Sequence, residues 1–598
     1  MCGFIGTLTK SVIDIENLNK CNELIECRGP DEKKSFVGKL DPDQSININL
    51  IFNRLSIIDL AENAGQPMFS KTFQTGIVFN GEIFNHRNLR RELENQGITF
   101  STSHSDSEVV LLGLSYYGLD YVKKFIGQFS IVFIDFKTQH VTLIRDRLGQ
   151  KPLFYYSDDN DLIFSSNLKS LLKLKGEFQI DETNLYEYLN FGVIPAPKTL
   201  FKRFKKIEPG TYLTFDFNIS RLSSKKTEYW NPEKLVNNNK FEKKDFMELF
   251  NDSVLLRLDS DVPYANFLSG GLDSTAIVKS TVSLAEKQLN TFSVITDNTL
   301  YDESKWINQV VETYNTNHIN KIINSNVETE DVNASIDAYD ELICDPSTLP
   351  SYLLCNEMSK NFKVAISGDG GDELFGGYKR YFQTLNKKNN IQNIISKFNA
   401  IYPGFFGSGN EFHLYSNDWK VRYASFLEDK NFLKTLGIKS SSSFIEKYLN
   451  YSNFDLKTVQ LIDYNFYLKE IQMLKIDRAS MANSLEVRSP MLDHRLIEYI
   501  LGHENYNTDM DNPKKLLIEH LNQDFSKDFT NRPKQGFVVS NEDWIFSNLN
   551  YIDTVFKSGK IVYDLDKNIL KKLNIRKSRM NGIRIWKLYF LERYLSSI

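Results

Sequence analysis

Short apolar runs separated by turn residues dominate the first two hundred or so residues of the chain. Examples are INLIFNRLSIIDL, TGIVFNGEIF, FSIVFIDF, VTLIRDRLG, LFYYS and GTYLTFDF. These runs are rich in Ile, Val, Phe and Tyr, so the pattern predicts packed β-sheets. Two segments have a helical pattern instead. RNLRRELENQG (87–97) ends at a glycine, and DSEVVLLGLSYYG (106–118) opens with Asp106 as its expected N-cap.

The pattern changes around residues 222–246, where LSSKKTEYWNPEKLVNNNKFEKKDF is polar and lacks clear periodicity. This stretch predicts a boundary between domains. Beyond it, helical segments alternate with strands, as in DFMELFNDSVLLRL, YANFLSGG, STAIVKSTVSLAEKQ, NTFSVIT and KVAISGDGG. Such alternation predicts a doubly wound parallel sheet. From about residue 380 the pattern is mostly helical, and SSSS at 440–443 is expected to be a loop.

Composition narrows the class of protein. Of the 598 residues, 41% are hydrophobic and 25% charged, which are ordinary values for a globular chain. The net charge of -4 and the pI of about 6.2 give no electrostatic reason to expect nucleic acid as a partner. Because the five cysteines form no CxxC pair and no apolar stretch is long enough for a membrane span or a signal peptide, we expect a cytoplasmic protein.

The stretch ANFLSGGLDSTAIVKS carries the sharpest local signal. An apolar strand runs into Ser269, Gly270, Gly271, Leu272, Asp273 and Ser274, and a helix follows. Adjacent glycines let the backbone approach an anion, and a helix N-terminus offers free N–H groups to it. The pattern differs from both GxxxxGK[ST] and GxGxxG. A carboxylate in such a loop is understandable if Mg²⁺ lies between Asp273 and a pyrophosphate.

A second glycine-rich loop follows the strand KVAI. Residues 367–373, SGDGGDE, contain three glycines and three carboxylates. A Gly-Asp turn or an acidic calcium-type loop is the plain alternative. Glycines at the carboxyl edge of a parallel sheet indicate a ligand crevice, in which the carboxylates would bind a metal or act as a base.

These motifs resemble a known family. SGGLDS, YDES (301–304), SGDGGDELFGGYKRY (367–381), KIDRASMANSLEVRSPMLD (475–493) and RPKQGF (532–537) are similar to the synthetase domain of glutamine-hydrolysing asparagine synthetases, of the ATP pyrophosphatase type. MCGFIG, RGPD (28–31), FNGEIFNH (79–86) and RDRLGQKPLFYY (145–156) resemble a class II glutamine amidotransferase domain. The resemblance spans essentially the whole chain, in the same order.

The resemblance implies an α/β multi-domain protein. Its first part would be an αββα β-sandwich of the Ntn-hydrolase type, and its second part a doubly wound parallel α/β sheet with many helices. We expect the amidotransferase domain at 2–215, a linker at 216–245 and the synthetase domain at 246–598. Relatives are often dimers, but no residue here demands a homodimer.

The resemblance also explains the early cysteine, which would otherwise be a thiol in a frayed terminus. Removal of Met1 would give Cys2 an α-amino group whose ordinary pKa suits a general base, and its thiolate would attack the glutamine amide. Asn80 and the backbone N–H of Gly81 match the oxyanion positions. The residues that match the glutamine-binding positions are Arg54, Leu55, Ser56, Ile57, Ile58, Asn80, Gly81, Glu82 and Asp106.

For the second part, the resemblance implies ATP as substrate, Mg²⁺ bound by Asp273 and Asp372, and an acyl-adenylate intermediate. Asp369 would be the base that deprotonates ammonia, although many relatives have Glu there. The active-site lysine is expected at Lys514, with Lys515 as the competing register; Lys475 and Arg478 are further candidates. The residues that match the ATP-binding positions are Phe267, Ser269, Gly270, Gly271, Asp273, Ser274, Val294, Ser367 and Gly368.

The acceptor acid stays open at this point. Aspartate is the acceptor that the family implies, and all the substrates would be small molecules. The GDGGDE and RPKQGF variants also resemble a subgroup found in polysaccharide pathways, where a sugar uronate would be amidated. A non-catalytic glutamine sensor or scaffold is a different class of protein, and the matched residues of both sites speak against it.

Overall fold

The computed structural model describes most of the chain, and every structural statement below concerns the residues that it describes. These are residues 2–11, 13–40, 46–217, 222–235, 240–285, 287–296, 303–323, 327–386, 394–400, 402–403, 408–438, 449–451, 455–503, 513–532 and 541–598. The loop predicted at 440–443 lies outside them, as do Tyr301 and Asp302 of YDES and residues 533–537 of RPKQGF.

Two six-stranded antiparallel sheets form the first part of the chain, here called the sandwich half (residues 2–228). Their orders are β10-β8-β9-β1-β3-β2 and β12-β11-β7-β6-β5-β4. The strands are β1 Gly3–Thr9, β2 Glu32–Lys39, β3 Asn47–Arg54, β4 Met68–Ser70, β5 Thr75–Ile83, β6 Gly127–Asp135, β7 His140–Arg145, β8 Phe154–Ser157, β9 Leu162–Ser165, β10 Phe204–Lys206, β11 Thr211–Asp216 and β12 Ser223–Glu228.

Alternation along the strands builds the layers of this half. Phe4 and Leu50 of the first sheet pack against Val78 and Val132 of the second, and so form the interior of the sandwich. The alternate residues of these strands, such as Ile5, lie on the outer face of the sheet and pack against a helix. Helices therefore cover both sheets, which confirms the predicted αββα arrangement. They span Ile15–Asn22, His86–Asn95, Asp106–Tyr117, Leu168–Lys175 and Glu182–Phe191.

Strand β12 lies inside the stretch that the sequence predicts to be a linker. It pairs with β11 along its whole length, from Thr211↔Glu228 to Asp216↔Ser223. Its sequence, SSKKTE, is polar because most of these residues are exposed at the edge of the sheet, so it lacks the apolar signal of a strand. The hydrogen bonds between β11 and β12 therefore make residues 223–228 part of the sandwich half.

The expected N-cap at Asp106 is wrong. The helix begins at Asp106 itself, with Ser105 at the N-cap position and no side-chain capping bond. The Asp106 carboxylate instead accepts a hydrogen bond from the backbone N–H of Ile83, on strand β5, at 3.1 Å. A tertiary contact has replaced the local one.

Five parallel strands form the centre of the second part, here called the parallel-sheet half (residues 243–598). Their order is β15-β14-β13-β16-β17, so the chain reverses its direction of progress between β13 and β16. This arrangement confirms the doubly wound sheet, and it creates a crevice at the carboxyl ends of those two strands. The strands are β13 Tyr264–Phe267, β14 Asn290–Thr296, β15 Asn317–Ile323, β16 Val364–Ile366 and β17 Glu486–Arg488.

Helices surround this sheet and make up most of the chain after residue 380, as predicted. None of the described helices has the length and apolar character to cross a membrane. The helices span Lys243–Arg257, Leu272–Leu284, Ser304–Tyr314, Thr329–Asp337, Thr348–Ser359, Gly371–Phe375, Lys379–Leu385, Asn410–His413, Trp419–Ala424, Lys430–Thr435, Leu456–Asp463, a π-helical segment Tyr464–Gln472, Met473–Met481, His494–Gly502, Lys515–Leu521, Lys527–Thr530, Asn541–Ser547, Leu549–Ser558, Val562–Leu565, Ile569–Asn574 and Arg579–Ser596.

A buried ion-pair network joins the two halves. The Arg28 guanidinium donates two parallel hydrogen bonds to Asp477, at 2.9 and 3.0 Å, and Lys151 lies 3.4 Å from the same carboxylate. Burial works to raise the pKa of Asp477, but Arg28 and Lys151 outweigh it and hold the pKa well below its ordinary value. The carboxylate is therefore ionised and holds two buried cations of the sandwich half.

Asp477→Asn should lower the free energy of unfolding by about 3–5 kcal/mol, because Arg28 and Lys151 would stay buried without their counter-charge. The midpoint of urea unfolding measures this loss. Asp120→Asn is the matched control, since it neutralises a carboxylate in an exposed pair with Lys123, and it should change stability by no more than about 0.5 kcal/mol. Equal midpoints for the two variants would contradict the role of the network.

Candidate active site

Cys2 opens onto a small cavity at one end of the sandwich. The residue is 8% exposed and directly precedes β1. The cavity has a volume of about 30 Å³. Its lining residues are Cys2, Arg54, Leu55, Ile57, Ile58, Ala64, Gln66, Phe79, Gly81, Glu82, Ser105, Asp106 and Ser107. Most of the predicted glutamine-binding residues are thus brought together, and the sequence reading missed Ala64, Gln66, Phe79, Ser105 and Ser107.

The surroundings of Cys2 favour a neutral thiol. Burial raises the pKa of its side chain, so a base must remove the proton before the sulfur can attack. The Cys2 nitrogen donates to Oδ1 of Asn80 at 3.1 Å. Asn80 is fully buried on β5, and its Nδ2 donates only a long bond, of 3.5 Å, to Oγ of Ser130. The contact with the Cys2 nitrogen fixes the orientation of the Asn80 side chain, and its Nδ2 makes only this weak hydrogen bond.

Gly81 occupies a position that tolerates no side chain. Its φ is +152°, a region that residues with a Cβ rarely adopt. A Cβ there would also lie 2.1 Å from the backbone oxygen of Gln128, on the neighbouring strand β6. Glycine is therefore the residue that lets the backbone of β5 pass so close to β6 beside the cavity.

Arg54 holds the loop that forms one wall of the cavity. It ends β3, and its guanidinium donates to the carbonyl oxygens of Ile58 at 3.4 Å, Ala61 at 3.0 Å and Asp59. Ser56 belongs to this loop but does not line the cavity, and its backbone N–H donates to Asp31 at 2.7 Å. Arg54 thus shapes the wall and also presents a cation to the cavity.

Two buried carboxylates lie side by side in the same cavity. Burial raises the pKa of Asp106 to about 6, and burial together with the Asp106 charge raises the pKa of Glu82 well above its ordinary value. Like charges in a buried site are costly unless a cation joins them. With Arg54 at one side and these carboxylates at another, the lining carries charges that complement those of a zwitterionic amino acid.

The SGGLDS loop lies at the predicted sheet edge. It connects β13 to the helix Leu272–Leu284, and Gly270 has a φ of +72°. The hydroxyls of Ser269 and Ser274 are 3.1 Å apart. Arg532, which the sequence reading quoted only as part of a motif, donates to the Gly270 carbonyl. The loop therefore presents hydroxyls, a helix N-terminus and a nearby guanidinium, as an anion site requires.

The second loop packs directly against the first. A Cβ at Gly368 would lie 3.1 Å from Cβ of Asp273 and 3.1 Å from the backbone nitrogen of Ser274, both in the first loop. The Ser367 hydroxyl donates to the Asp369 carboxylate at 2.6 Å. Phe267 ends β13 and Val294 lies on the neighbouring strand β14, so these two predicted ATP-binding residues are on adjacent strands of the sheet.

Lys514 lies between the two loops. Its Nζ is 2.7 and 2.5 Å from the two oxygens of Asp273 and 2.7 Å from Asp372. Burial works to lower the pKa of Lys514, but the two carboxylates outweigh it and raise the pKa above its ordinary value. Lys515 is exposed, Lys475 donates to Ser347, and Arg478 is paired with Asp340 and Glu341.

The donor set also fits a magnesium ion that is shared with phosphate. Among the described residues, no group of three or more His, Cys, Asp or Glu side chains converges as a complete protein site. The carboxylates of Asp273 and Asp372 do face one position, which Nζ of Lys514 occupies. Mg²⁺ commonly takes one or two carboxylates and completes its shell with substrate phosphates and water.

A second cavity lies between the two halves, with a volume of about 10 Å³. A space of this size holds about one water molecule. Its lining residues are Gln128, Gln150 and Lys151 from the sandwich half and Asp369, Met473, Ile476, Asp477, Ser480, Val487, Ser489 and Leu492 from the parallel-sheet half. Asp369 thus faces the interface, and its neighbours from the other half carried no local sequence signal.

Two family models match the chain. One, described as asparagine synthase, matches residues 245–568. The other, described as a glutamine amidotransferase domain, matches residues 1–230. The second match ends just after β12.

Curated proteins of Bacillus subtilis (strain 168) are similar over most of the chain. Asparagine synthetase (glutamine-hydrolyzing) 1 is 31% identical over 92% of this chain and 89% of its own length. Asparagine synthetase (glutamine-hydrolyzing) 3 is 29% identical over 84% of this chain and 80% of its own length. A solved glutamine phosphoribosylpyrophosphate amidotransferase from B. subtilis aligns at 14% identity with a TM-score of 0.28, covering 45% of this chain and 61% of that one, and such a likeness carries no argument.

Proposed function

The chain belongs to the asparagine synthase family of glutamine-hydrolysing ligases, and from that premise we propose that it makes L-asparagine from L-aspartate, glutamine and ATP. Ammonia is released at Cys2, crosses to the parallel-sheet half and attacks a β-aspartyl-AMP intermediate, and AMP and pyrophosphate are the other products. The observation that supports this proposal is the interdomain cavity, since Asp369 lines it together with Gln128, the ladder partner of Glu82 in the Cys2 cavity. The domains are proposed at 2–215 and 246–598, and the linker proposed at 216–245 contains strand β12, which pairs with the first domain.

Glutamine hydrolysis would start with proton transfer. Once Met1 is removed, the Cys2 nitrogen becomes a free α-amine with an ordinary pKa near ~8, and it takes the thiol proton. The thiolate attacks the side-chain carbonyl carbon of glutamine. The amide C–N bond then breaks, and the nitrogen leaves as ammonia with the proton from the amine. Water hydrolyses the resulting thioester to glutamate.

The negative charge that develops on the carbonyl oxygen needs donors. Asn80 accepts from the Cys2 nitrogen through Oδ1, so its Nδ2 is available to donate, together with the backbone N–H of Gly81. Arg54 would bind the α-carboxylate of glutamine, and Glu82 and Asp106 its α-ammonium. Binding of the ammonium relieves the repulsion between two buried carboxylates.

Aspartate activation would occur at the switch point of the parallel sheet. The aspartate β-carboxylate attacks the α-phosphorus of ATP, and the bond to pyrophosphate breaks. The loop from Ser269 to Ser274 would bind the leaving pyrophosphate, and Lys514 would balance its charge. Mg²⁺ held by Asp273 and Asp372 would supply further neutralisation of the phosphates. Phe267, Val294, Ser367 and Gly368 would contact the adenosine part.

Ammonia would meet the acyl-adenylate at Asp369. The nitrogen lone pair of ammonia attacks the acyl carbon of the adenylate, and AMP leaves. The Asp369 carboxylate takes the extra proton from the nitrogen. The interdomain cavity has room for a molecule of the size of ammonia.

The acceptor acid is tested with glutamine labelled with ¹⁵N at its amide. The processed protein receives labelled glutamine, ATP, Mg²⁺ and L-aspartate, and a parallel reaction replaces aspartate with nucleotide-linked uronates. Labelled asparagine, formed in step with AMP and pyrophosphate, is the expected product by mass spectrometry. Label in a uronamide and none in asparagine would keep the chemistry but overturn the choice of acceptor. No ATP consumption with either acid would favour a glutamine sensor.

Cys2→Ala should lower glutamine-dependent synthesis by at least ~10³-fold, since the nucleophile is lost. Synthesis from added ammonium chloride should stay within about threefold of wild type, because the second site is untouched. Cys27→Ala is the matched control, because Cys27 is exposed and outside the cavity, and it should retain both activities. Loss of ammonia-dependent synthesis in a folded Cys2→Ala protein would contradict the two-site model.

Lys514→Met should lower kcat of ammonia-dependent synthesis by about 10²–10³-fold, because a cation at the leaving pyrophosphate would be lost. Lys515→Met is its neighbour-matched control. Since the Lys515 side chain is exposed, this change should alter kcat by less than about threefold. The opposite ranking of the two variants would assign the active-site lysine to Lys515.

A further inference from the structure

Arg488 crosses from the parallel-sheet half into the surroundings of the Cys2 cavity. It is the last residue of β17 and is fully buried. Its Nη2 lies 3.5 Å from Oε2 of Glu82, which lines that cavity, and its Nε donates to Glu486 at 2.6 Å. A residue of one half thus provides a cation to a carboxylate of the other half's site.

The other guanidinium nitrogen fixes a second part of the same cavity wall. Nη1 of Arg488 donates to the carbonyl oxygens of Arg257 and Asp259, at 3.0 and 2.6 Å. Two residues farther on, Asp261 accepts from the backbone N–H of Asp59 at 2.7 Å, and its own N–H donates to the Ile57 carbonyl at 3.0 Å. Ile57 belongs to the wall that Arg54 shapes, so Arg488 supports that wall from behind.

The backbone of Arg488 is held by the nucleotide site. It pairs with Ile366 in the β16–β17 ladder, and its carbonyl accepts from the Ser367 N–H at 2.8 Å. The next residue, Ser489, donates its hydroxyl to the Asp369 carbonyl. Both ends of Arg488 are therefore fixed: the nucleotide loop holds its backbone, and Glu486 with two carbonyl oxygens holds its guanidinium beside Glu82.

Glu82 has an incomplete set of partners. Within the described part of the chain, its Oε1 is buried and accepts no hydrogen bond, and Nη2 of Arg488 likewise donates none. Asp106 and Glu486 are the neighbouring carboxylates that disfavour the ionised form, while Arg488 favours it. A buried carboxylate with one oxygen near a guanidinium and the other unused is arranged to receive a cation.

We propose that Arg488 is a positioning residue of the glutamine site, which orients the Glu82 carboxylate and places a positive charge beside it, so that Glu82 is ready to bind the α-ammonium of the substrate. This inference rests on the proposed glutamine hydrolysis, but not on the identity of the acceptor acid. It also means that the Cys2 site is completed by the parallel-sheet half. The effect of Arg488 on glutamine passes through Glu82.

The test is steady-state release of glutamate by the full-length protein, without acceptor acid. Arg488→Met should raise KM for glutamine at least ~10-fold and change kcat by less than about threefold, because the ammonium contact is weakened and Cys2 is untouched. Arg488→Lys keeps a cation and should recover much of the loss. Arg87→Met is the matched control, since Arg87 is half-exposed and forms its interdomain pair with the Asp259 carboxylate rather than with Glu82, and its KM should not change.

A double-mutant cycle separates this role from a general loss of structure. In a Glu82→Gln background the KM for glutamine is already raised, and adding Arg488→Met should raise it less than about twofold further. Fully multiplicative effects of the two changes, or a wild-type KM in Arg488→Met, would overturn the proposal. A wild-type chain that releases glutamate but makes no asparagine would count against the proposed acceptor and leave the KM comparison valid.

Discussion

The position of the two sites relative to each other depends on the contacts of the Arg28 guanidinium. Its Nε donates to the Cys2 carbonyl at 3.2 Å, and its other two nitrogens bind Asp477 of the opposite half. One planar group therefore links the backbone of Cys2 to the helix Met473–Met481. Arginine suits this role because its rigid fork matches a carboxylate in two places while a third donor remains.

Two neighbouring strands of the sandwich half connect the Cys2 cavity with the interdomain cavity. Glu82 of β5 and Gln128 of β6 are direct partners in the ladder, so their side chains leave the same face of the sheet. Glu82 lines the Cys2 cavity and Gln128 the interdomain cavity. The two spaces are therefore neighbours across a single pair of residues. The distance that ammonia would travel inside the protein is set by strand pairing and by the docking of the parallel-sheet half.

The sequence could predict those parts of the sites that lie in contiguous stretches. The SGGLDS loop was predictable because its strand, glycines and helix follow one another, and the αββα and parallel-sheet folds followed from periodicity and resemblance. Strand β17 was missed because it has only three residues. Arg28 and Asp477 are 449 positions apart, and no local pattern pairs them. The choice between Lys514 and Lys515 likewise needed the tertiary contacts of Asp273 and Asp372, because adjacent residues offer the same chemistry.

Charge explains why the two halves need each other. In the sandwich half, burial disfavours ionisation of both Glu82 and Asp106, and Arg28 and Lys151 are buried cations that pair with Asp477. The parallel-sheet half provides the opposite charge in each case, through Arg488 and Asp477. Separated halves would expose or neutralise these groups, since an unpaired buried charge costs several kcal/mol. Arg488 and Asp477 thus link the interface between the halves to the charges around the Cys2 cavity, so the packing of the halves and the electrostatics of that cavity depend on the same groups.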